Sequence, residues 1–216
     1  MSGAAEQIEQ GSSQRMIGAE RTKAFTDAVV AIAMTLLILP LLESISEASA
    51  HEVSVVTWAG EHLGQISTFA LSFLLIATFW TNHHAILEPV ARLTQGLLWL
   101  DVAWMFMIVW MPVTTAMSGS AMAADRGKFV AYVLPMLGAA ALAAVMARTV
   151  RRSPELWAQG EHPTVHPQAV ALSMTILYGL AFAVGLALPG GSGFLAMFLL
   201  GGIAPLERVI ARRLPA

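Results

Sequence analysis

The sequence has no cysteine and little charge. Without cysteine among its 216 residues, the chain has neither a disulfide framework nor a thiolate to ligate a metal or act as a nucleophile. Only 12% of the residues are charged, about half of the roughly 25% typical of soluble domains. The formal net charge of -2 gives no electrostatic basis for binding nucleic acid. We therefore expect neither a disulfide-rich secreted domain nor a nucleic-acid-binding protein.

Hydrophobic residues are abundant instead. They make up 56% of the chain, and the mean hydropathy is +0.67. A soluble protein of this length would need many more polar residues to cover its surface. The composition predicts an all-α integral membrane protein.

Six stretches are apolar enough to cross a bilayer, which requires roughly 20 residues per helix. They are Phe25–Leu42, Leu63–Trp80, Leu97–Met117, Phe129–Ala147, Gln168–Leu188 and Phe194–Ile210. The first two are expected to continue as helix beyond the apolar core. Residues 1–19 are polar and predict a disordered cytoplasmic tail, so residues 20–213 form the membrane domain.

The basic residues test this layout independently. With six spans and the N-terminus inside, only Arg126 and Lys128 fall outside. The cytoplasmic group is Arg15, Arg21, Lys23, Arg92, Arg148, Arg151, Arg152, Arg208, Arg212 and Arg213. Basic residues concentrate in cytoplasmic loops, so the bias predicts that both termini are cytoplasmic.

The first span combines charge with an apolar stripe. At about 100° per residue, Ile32, Thr35, Leu36 and Leu39 fall within one arc of about 100°. Asp27 lies about 140° from Ile32 and faces away from the stripe. On its own the stripe is typical of ordinary helix packing, and a helical threonine commonly bonds its own backbone.

The same span carries a motif. Arg21, Phe25, Thr26 and Asp27 resemble the RxxxFSD signature of the bacterial and lysosomal potassium-channel family of transmembrane protein 175, with threonine in place of serine. Residues 79–84, Phe-Trp-Thr-Asn-His-His, resemble the FWxNHH segment of that family's second helix.

This resemblance implies a single-repeat bacterial channel of six helices per subunit. Four subunits would form a homotetramer in the bacterial plasma membrane, around a potassium pore lined by the first helix. Ile32 would be the constriction, Thr35 a hydroxyl layer, and Leu36 and Leu39 further apolar rings. The permeant partner would be K+ and no cofactor is implied. The chain also lacks the TVGYG filter of ordinary potassium channels.

The remaining motif residues are expected to form a polar network that positions the pore helix. Its predicted members are Arg21, Phe25, Thr26, Asp27, Trp80 and His84. A carboxylate at the edge of the hydrocarbon needs a partner, and Trp80 and His84 share a helix face because they are four residues apart.

Three alternatives compete with a channel and its network. Adjacent His83 and His84 point about 100° apart, a poor geometry for chelating one metal ion. A proton-coupled secondary transporter would use Asp27, His84 and Asp101 as a relay, although Asp101 could equally make an interhelical hydrogen bond. A membrane-embedded hydrolase is disfavoured because no nucleophile and base are recognisable. We therefore expect a protein that is not an enzyme.

Overall fold

The computed structural model describes residues 17–50, 52–118, 126–187 and 203–214. Its elements are β1 (Ile17–Gly18), α1 (Ala19–Leu36), α2 (Leu39–Ala50), α3 (Val55–Glu61), α4 (Leu63–Leu87), β2 (Arg92–Leu93), α5 (Gln95–Ser118), α6 (Arg126–Arg152), a 3-10 turn (Pro154–Leu156), α7 (Val165–Ala187) and α8 (Ile203–Ala211).

Five segments are long and apolar enough to span a membrane. They are Ala19–Ala50, Leu63–Leu87, Gln95–Met117, Arg126–Arg152 and Val165–Ala187. The first five predicted spans are thereby confirmed, and the first two do extend beyond their apolar cores. Most of the sixth, Phe194–Ile210, lies outside the described residues, and α8 covers only its last part. The predicted tail lies outside them up to residue 16, whereas residues 17–19 form β1 and the start of α1.

The first span is not one straight helix. Pro40 has no N–H to donate to the carbonyl of Leu36, and its ring crowds that carbonyl. The α-helical pattern accordingly stops at Leu36 and restarts at Leu39, with a tighter bond from the Ile38 N–H to the Thr35 carbonyl at 3.3 Å. The predicted stripe therefore ends across a break, because Leu39 belongs to α2.

The core of the bundle lies between α5, α6 and α7. Large side chains of α5 fill it, including Trp104, Ile108 and Met111, all at most 1% exposed. The facing surface of α6 is lined by small residues, namely Ala139, Ala140, Ala143, Ala144 and Ala147. Small side chains let helix backbones approach closely, which is the main source of packing energy when lipid is as apolar as the core.

Helix α1 lies at the edge of this bundle, against α5 and α4. Only 28% of the most apolar window of the first span is buried and 17% of that of α4, against 50% for α6. The chain thus leaves much of its first membrane helix uncovered.

Most of the basic residues meet at one end of the bundle. Strands β1 and β2 pair there as a two-residue antiparallel ribbon, and the Ala91 N–H donates to the Leu156 carbonyl at 2.8 Å. These contacts join the start of α1, the α4–α5 connection and the segment after α6. Arg126 begins α6 and lies at the opposite end.

Candidate functional site

One face of α1 and the start of α2 is uncovered, and it contains the four predicted pore residues. Ile32 is 59% exposed, Leu36 40% and Leu39 48%, and Thr35 is also exposed. The Thr35 hydroxyl donates to the Ile32 carbonyl at 2.8 Å, so its oxygen lone pairs remain free to accept. We call these four residues the α1 stripe.

The opposite face of α1 is buried against the subunit. Thr26, Val30 and Ala33 are at most 2% exposed, as is Leu37 just beyond the helix. At about 100° per residue, the centre of this buried face lies about 140° from that of the α1 stripe. The subunit's own packing therefore turns the stripe outward.

A buried polar cluster anchors α1 to α5 and α4. The Thr26 hydroxyl lies 2.9 Å from Asp101 Oδ2 and 3.0 Å from the Thr22 carbonyl. The second oxygen of Asp101 accepts from His83 Nε2 at 2.7 Å. Asp101 is 0% exposed and His83 2%. Three helices thus meet at one carboxylate whose two oxygens both have partners.

The His83 ring is held by stacking as well as by this hydrogen bond. It lies on the indole of Trp104, with ring centroids 3.9 Å apart. A buried carboxylate is stable only if it is paired and hydrogen-bonded, and the imidazole can supply either a neutral donor or a compensating charge. Asp101 is six residues after the start of α5, so the cluster lies about 9 Å along the helix axis from that end of α5.

A second anchor joins α1 to α4 one residue further along the chain. Trp80 Nε1 donates to Asp27 Oδ1 at 2.8 Å. The His84 ring lies beside this indole, with ring centroids 5.7 Å apart, and with Asp27 it lines a cavity of about 180 Å³. Of the predicted network, Asp27, Trp80 and His84 are therefore brought together.

Arg21 and Phe25 lie elsewhere. Both line a cavity of about 630 Å³ between α1 and α5, beside Trp99. Phe25 is 61% exposed and Trp99 64%, and Arg21 makes no ion pair with any described residue. These two motif residues face the outside of the subunit, on the side that carries the α1 stripe.

Two members of the buried cluster were not in the predicted network. The sequence suggests Asp101 only as a relay or hydrogen-bonding group, and His83 only as half of a disfavoured metal site. The adjacent histidines in fact turn to different partners, His83 to Asp101 and His84 to Trp80. The available signal was the cost of an intramembrane carboxylate, which requires a donor such as a histidine in a neighbouring span.

Comparison with known proteins finds a family that resembles this part of the chain. The model of the endosomal/lysosomal potassium channel TMEM175 matches residues 21–112, from Arg21 through most of α5. This part of the chain is similar to the TMEM175 family. The match includes both anchors and the α1 stripe.

The similar relatives are bacterial and animal channels. A potassium channel of Streptomyces collinus is 31% identical over 123 residues, 57% of this chain and 58% of that protein. A potassium channel of a Chryseobacterium strain is 28% identical over 102 residues, 46% of this chain and 48% of that protein. The mouse endosomal/lysosomal proton channel TMEM175 is 29% identical over 104 residues, 48% of this chain and 19% of that protein. The chain thus spans about half the length of the bacterial relatives it matches.

A solved structure has the same fold over nearly the whole chain. It is the crystal structure of a variant of the potassium channel MtTMEM175 in complex with a nanobody–MBP fusion protein. The TM-score is 0.60 at 16% sequence identity, covering 93% of this chain and 96% of that one.

The Thr26 hydroxyl gives a matched test of the buried cluster. Thr26→Val removes the donor while keeping the side-chain shape, so one Asp101 oxygen loses its partner at a cost of about 1–3 kcal/mol. Thr26→Ser keeps the hydroxyl and should cost well under about 1 kcal/mol. Thermal unfolding of the detergent-solubilised protein, followed by tryptophan fluorescence, measures both. Equal midpoints for the two variants would contradict the anchoring role.

Proposed function

We propose that the protein is a subunit of a potassium-selective, leak-type channel. The two bacterial relatives are named potassium channels, and the matching family model is that of a potassium channel. The proposal involves no enzymatic reaction and no cofactor, because the ion itself is the permeant species. The observation that carries it is the outward face of α1.

The geometry of that face favours a homotetramer. One pore-lining helix from each of two subunits cannot enclose a path, whereas four such helices can surround an axis. Four helices at an interaxial spacing of about 9 Å place each helix axis about 6.4 Å from the centre. An aliphatic side chain such as Ile32 then reaches close to the centre. The cavity between α1 and α5, lined by Arg21, Phe25 and Trp99, is the surface on which we expect the neighbouring subunit to pack.

We assign the α1 stripe to the ion path. Ile32 is the narrowest point, where four apolar side chains would form a dewetting barrier in a closed state. Thr35 supplies the next layer, with hydroxyl oxygens able to replace part of the ion's hydration, and Leu36 and Leu39 form the following rings. The break at Leu37 and Ile38 gives the helix a point at which the ring of Leu39 can move relative to Ile32.

The two anchors would control this path without touching the ion. The bonds Thr26–Asp101 and Asp27–Trp80 set the rotation of α1, and His84 supports the Trp80 ring. Ile32 lies about 9 Å further along the helix than Thr26, at 1.5 Å per residue. A change at the anchors should therefore alter assembly or gating more than ion preference. Arg21 and Phe25, which face outward, would complete the network between subunits.

The charge distribution supports a cytoplasmic position for both termini in a bacterial plasma membrane. Of the described basic residues, only Arg126 and Lys128 lie at the end opposite to the β1–β2 ribbon. The basic end of a membrane protein faces the cytoplasm. With the N-terminus inside and five spans described, a sixth helix within 194–210 would return the chain to the cytoplasm.

A proton-coupled transporter is the second candidate. The observation that favours it is the buried pair of Asp101 and His83, at 2.7 Å, because titratable groups within a membrane commonly mark proton pathways. The mouse relative is named a proton channel. A carrier predicts slow, saturable flux of fixed stoichiometry, whereas a channel predicts single-channel current steps.

Cysteine labelling tests the orientation, and the absence of native cysteine makes the background clean. Ser46→Cys in α2 should react with a membrane-impermeant maleimide added outside intact cells. Glu161→Cys, in the loop before α7, should react only after the membrane is opened. Both side chains are exposed in the subunit, so accessibility reports the side of the membrane. The reverse pattern would overturn the assigned orientation.

Substitution at Ile32 tests the channel itself. Ile32→Asn places four amides at the narrowest point, which should hydrate the ion, raise conductance and reduce the preference for potassium over sodium. Thr35→Val keeps the shape, removes the hydroxyl layer and should also reduce potassium preference. Reversal potentials under bi-ionic conditions in planar bilayers measure both.

Ile176→Asn is the matched control. Ile176 is 50% exposed, close to the value for Ile32, but it lies on α7, away from the proposed path. This change should lower yield or stability, because a polar group then faces lipid, and leave the reversal potential unchanged. If Ile32→Asn behaves like this control, the α1 stripe faces lipid and the pore proposal fails.

A further inference from the structure

A small cavity at the basic end of the bundle has a polar, cationic lining. Its volume is about 250 Å³, and it is lined by Arg148, Arg151, Arg152, Gln168 and Leu214. The three arginines come from the last turn and a half of α6, Gln168 from the first turn of α7, and Leu214 from the segment after α8. Three separate segments thus line one cavity.

The arginines are crowded on one side of α6. Arg148 and Arg152 are four residues apart and Arg148 and Arg151 three, so all three project from the same helix face. Arg148 and Arg152 make no ion pair with any described residue, and no carboxylate lines the cavity within the described part of the chain. Like charges at this spacing repel each other, and a bound anion would relieve that repulsion.

Gln168 can add a neutral donor to this lining. It is only 6% exposed, and its amide oxygen accepts from the Arg151 guanidinium. Because a guanidinium only donates, the atom that faces Arg151 must be the oxygen. The Gln168 amide nitrogen, which has no hydrogen-bond partner among the described residues, is then left as a donor.

The partial charges at the end of α6 and at the start of α7 largely cancel each other. The end of α6 carries a partial negative charge of about half an electron, and the start of α7 a positive one of similar size. The full charges of Arg148 and Arg152 therefore set the local potential. A preference for cytoplasmic arginine accounts for their charge, but not for a cavity whose lining also includes a buried amide.

We propose that this cavity is a binding site for a phosphate-bearing anion, in which Arg148 and Arg152 pair with phosphate oxygens and the Gln168 amide donates a hydrogen bond. Planar guanidinium groups match the geometry of phosphate. Anionic lipid headgroups bind in basic pockets of this kind between membrane helices, and a soluble phosphate offers the same oxygens. The site is independent of the pore, so the inference does not rest on ion conduction.

Thermal unfolding of the detergent-solubilised, assembled protein tests the site. Phosphatidylglycerol should raise the unfolding midpoint relative to phosphatidylcholine at equal concentration, because a ligand that binds only the folded state stabilises it. In Arg148→Gln/Arg152→Gln protein the concentration of phosphatidylglycerol for half of the effect should rise at least about tenfold, since two charged donors are lost. Inorganic phosphate is tested in parallel.

The control is Arg212→Gln/Arg213→Gln, which removes the same charge from the same end but outside the cavity lining. It should keep the response of the unaltered protein. A phosphatidylglycerol response that needs Arg148 and Arg152 identifies a lipid headgroup, whereas an equal response to inorganic phosphate with the same dependence identifies a soluble ligand. Either result supports the site. No response to either probe, or an equal loss in the control, would overturn it.

Discussion

The rotation of α1 about its own axis is the constraint on which the function proposed here depends. Two consecutive residues fix it: Thr26 bonds Asp101 on α5, and Asp27 accepts from Trp80 on α4. Their side chains leave the helix about 100° apart, so the two bonds together resist rotation in either direction. The buried face with Val30 and Ala33 follows from this, and the outward α1 stripe is what remains.

Much of the fold could be predicted from the sequence, because the bilayer requires long apolar helices and hydropathy reports them directly. The five described spans agree with that reading. The break after Leu36 depends on Pro40, a local signal visible in the sequence. The β1–β2 ribbon was not predictable in the same way, because strands of two residues carry no periodicity and depend on distant partners.

The candidate site, like the fold, could be predicted from the sequence only in part. The motif located Asp27 and Trp80, which are hydrogen-bonded to each other in the structure. Thr26 instead pairs with Asp101 of α5, whose second oxygen accepts from His83 of α4. A helical wheel gives the face on which a residue lies but not which helix covers that face. The outward position of Phe25 and Arg21 could not be read from one chain's pattern either, because the groove they line is formed with α5.

Cross-linking between subunits at residue 32 tests most directly whether the α1 stripe converges on a central axis. With helix axes about 6.4 Å from the centre and Cα atoms at a radius of about 2.3 Å, neighbouring Cα atoms at this level lie about 6 Å apart, within disulfide range. Mild oxidation of Ile32→Cys protein in membranes, followed by non-reducing electrophoresis, should therefore give covalent dimers, and Ile176→Cys protein should give none. Monomers alone from Ile32→Cys, or dimers from both variants, would contradict a pore lined by α1.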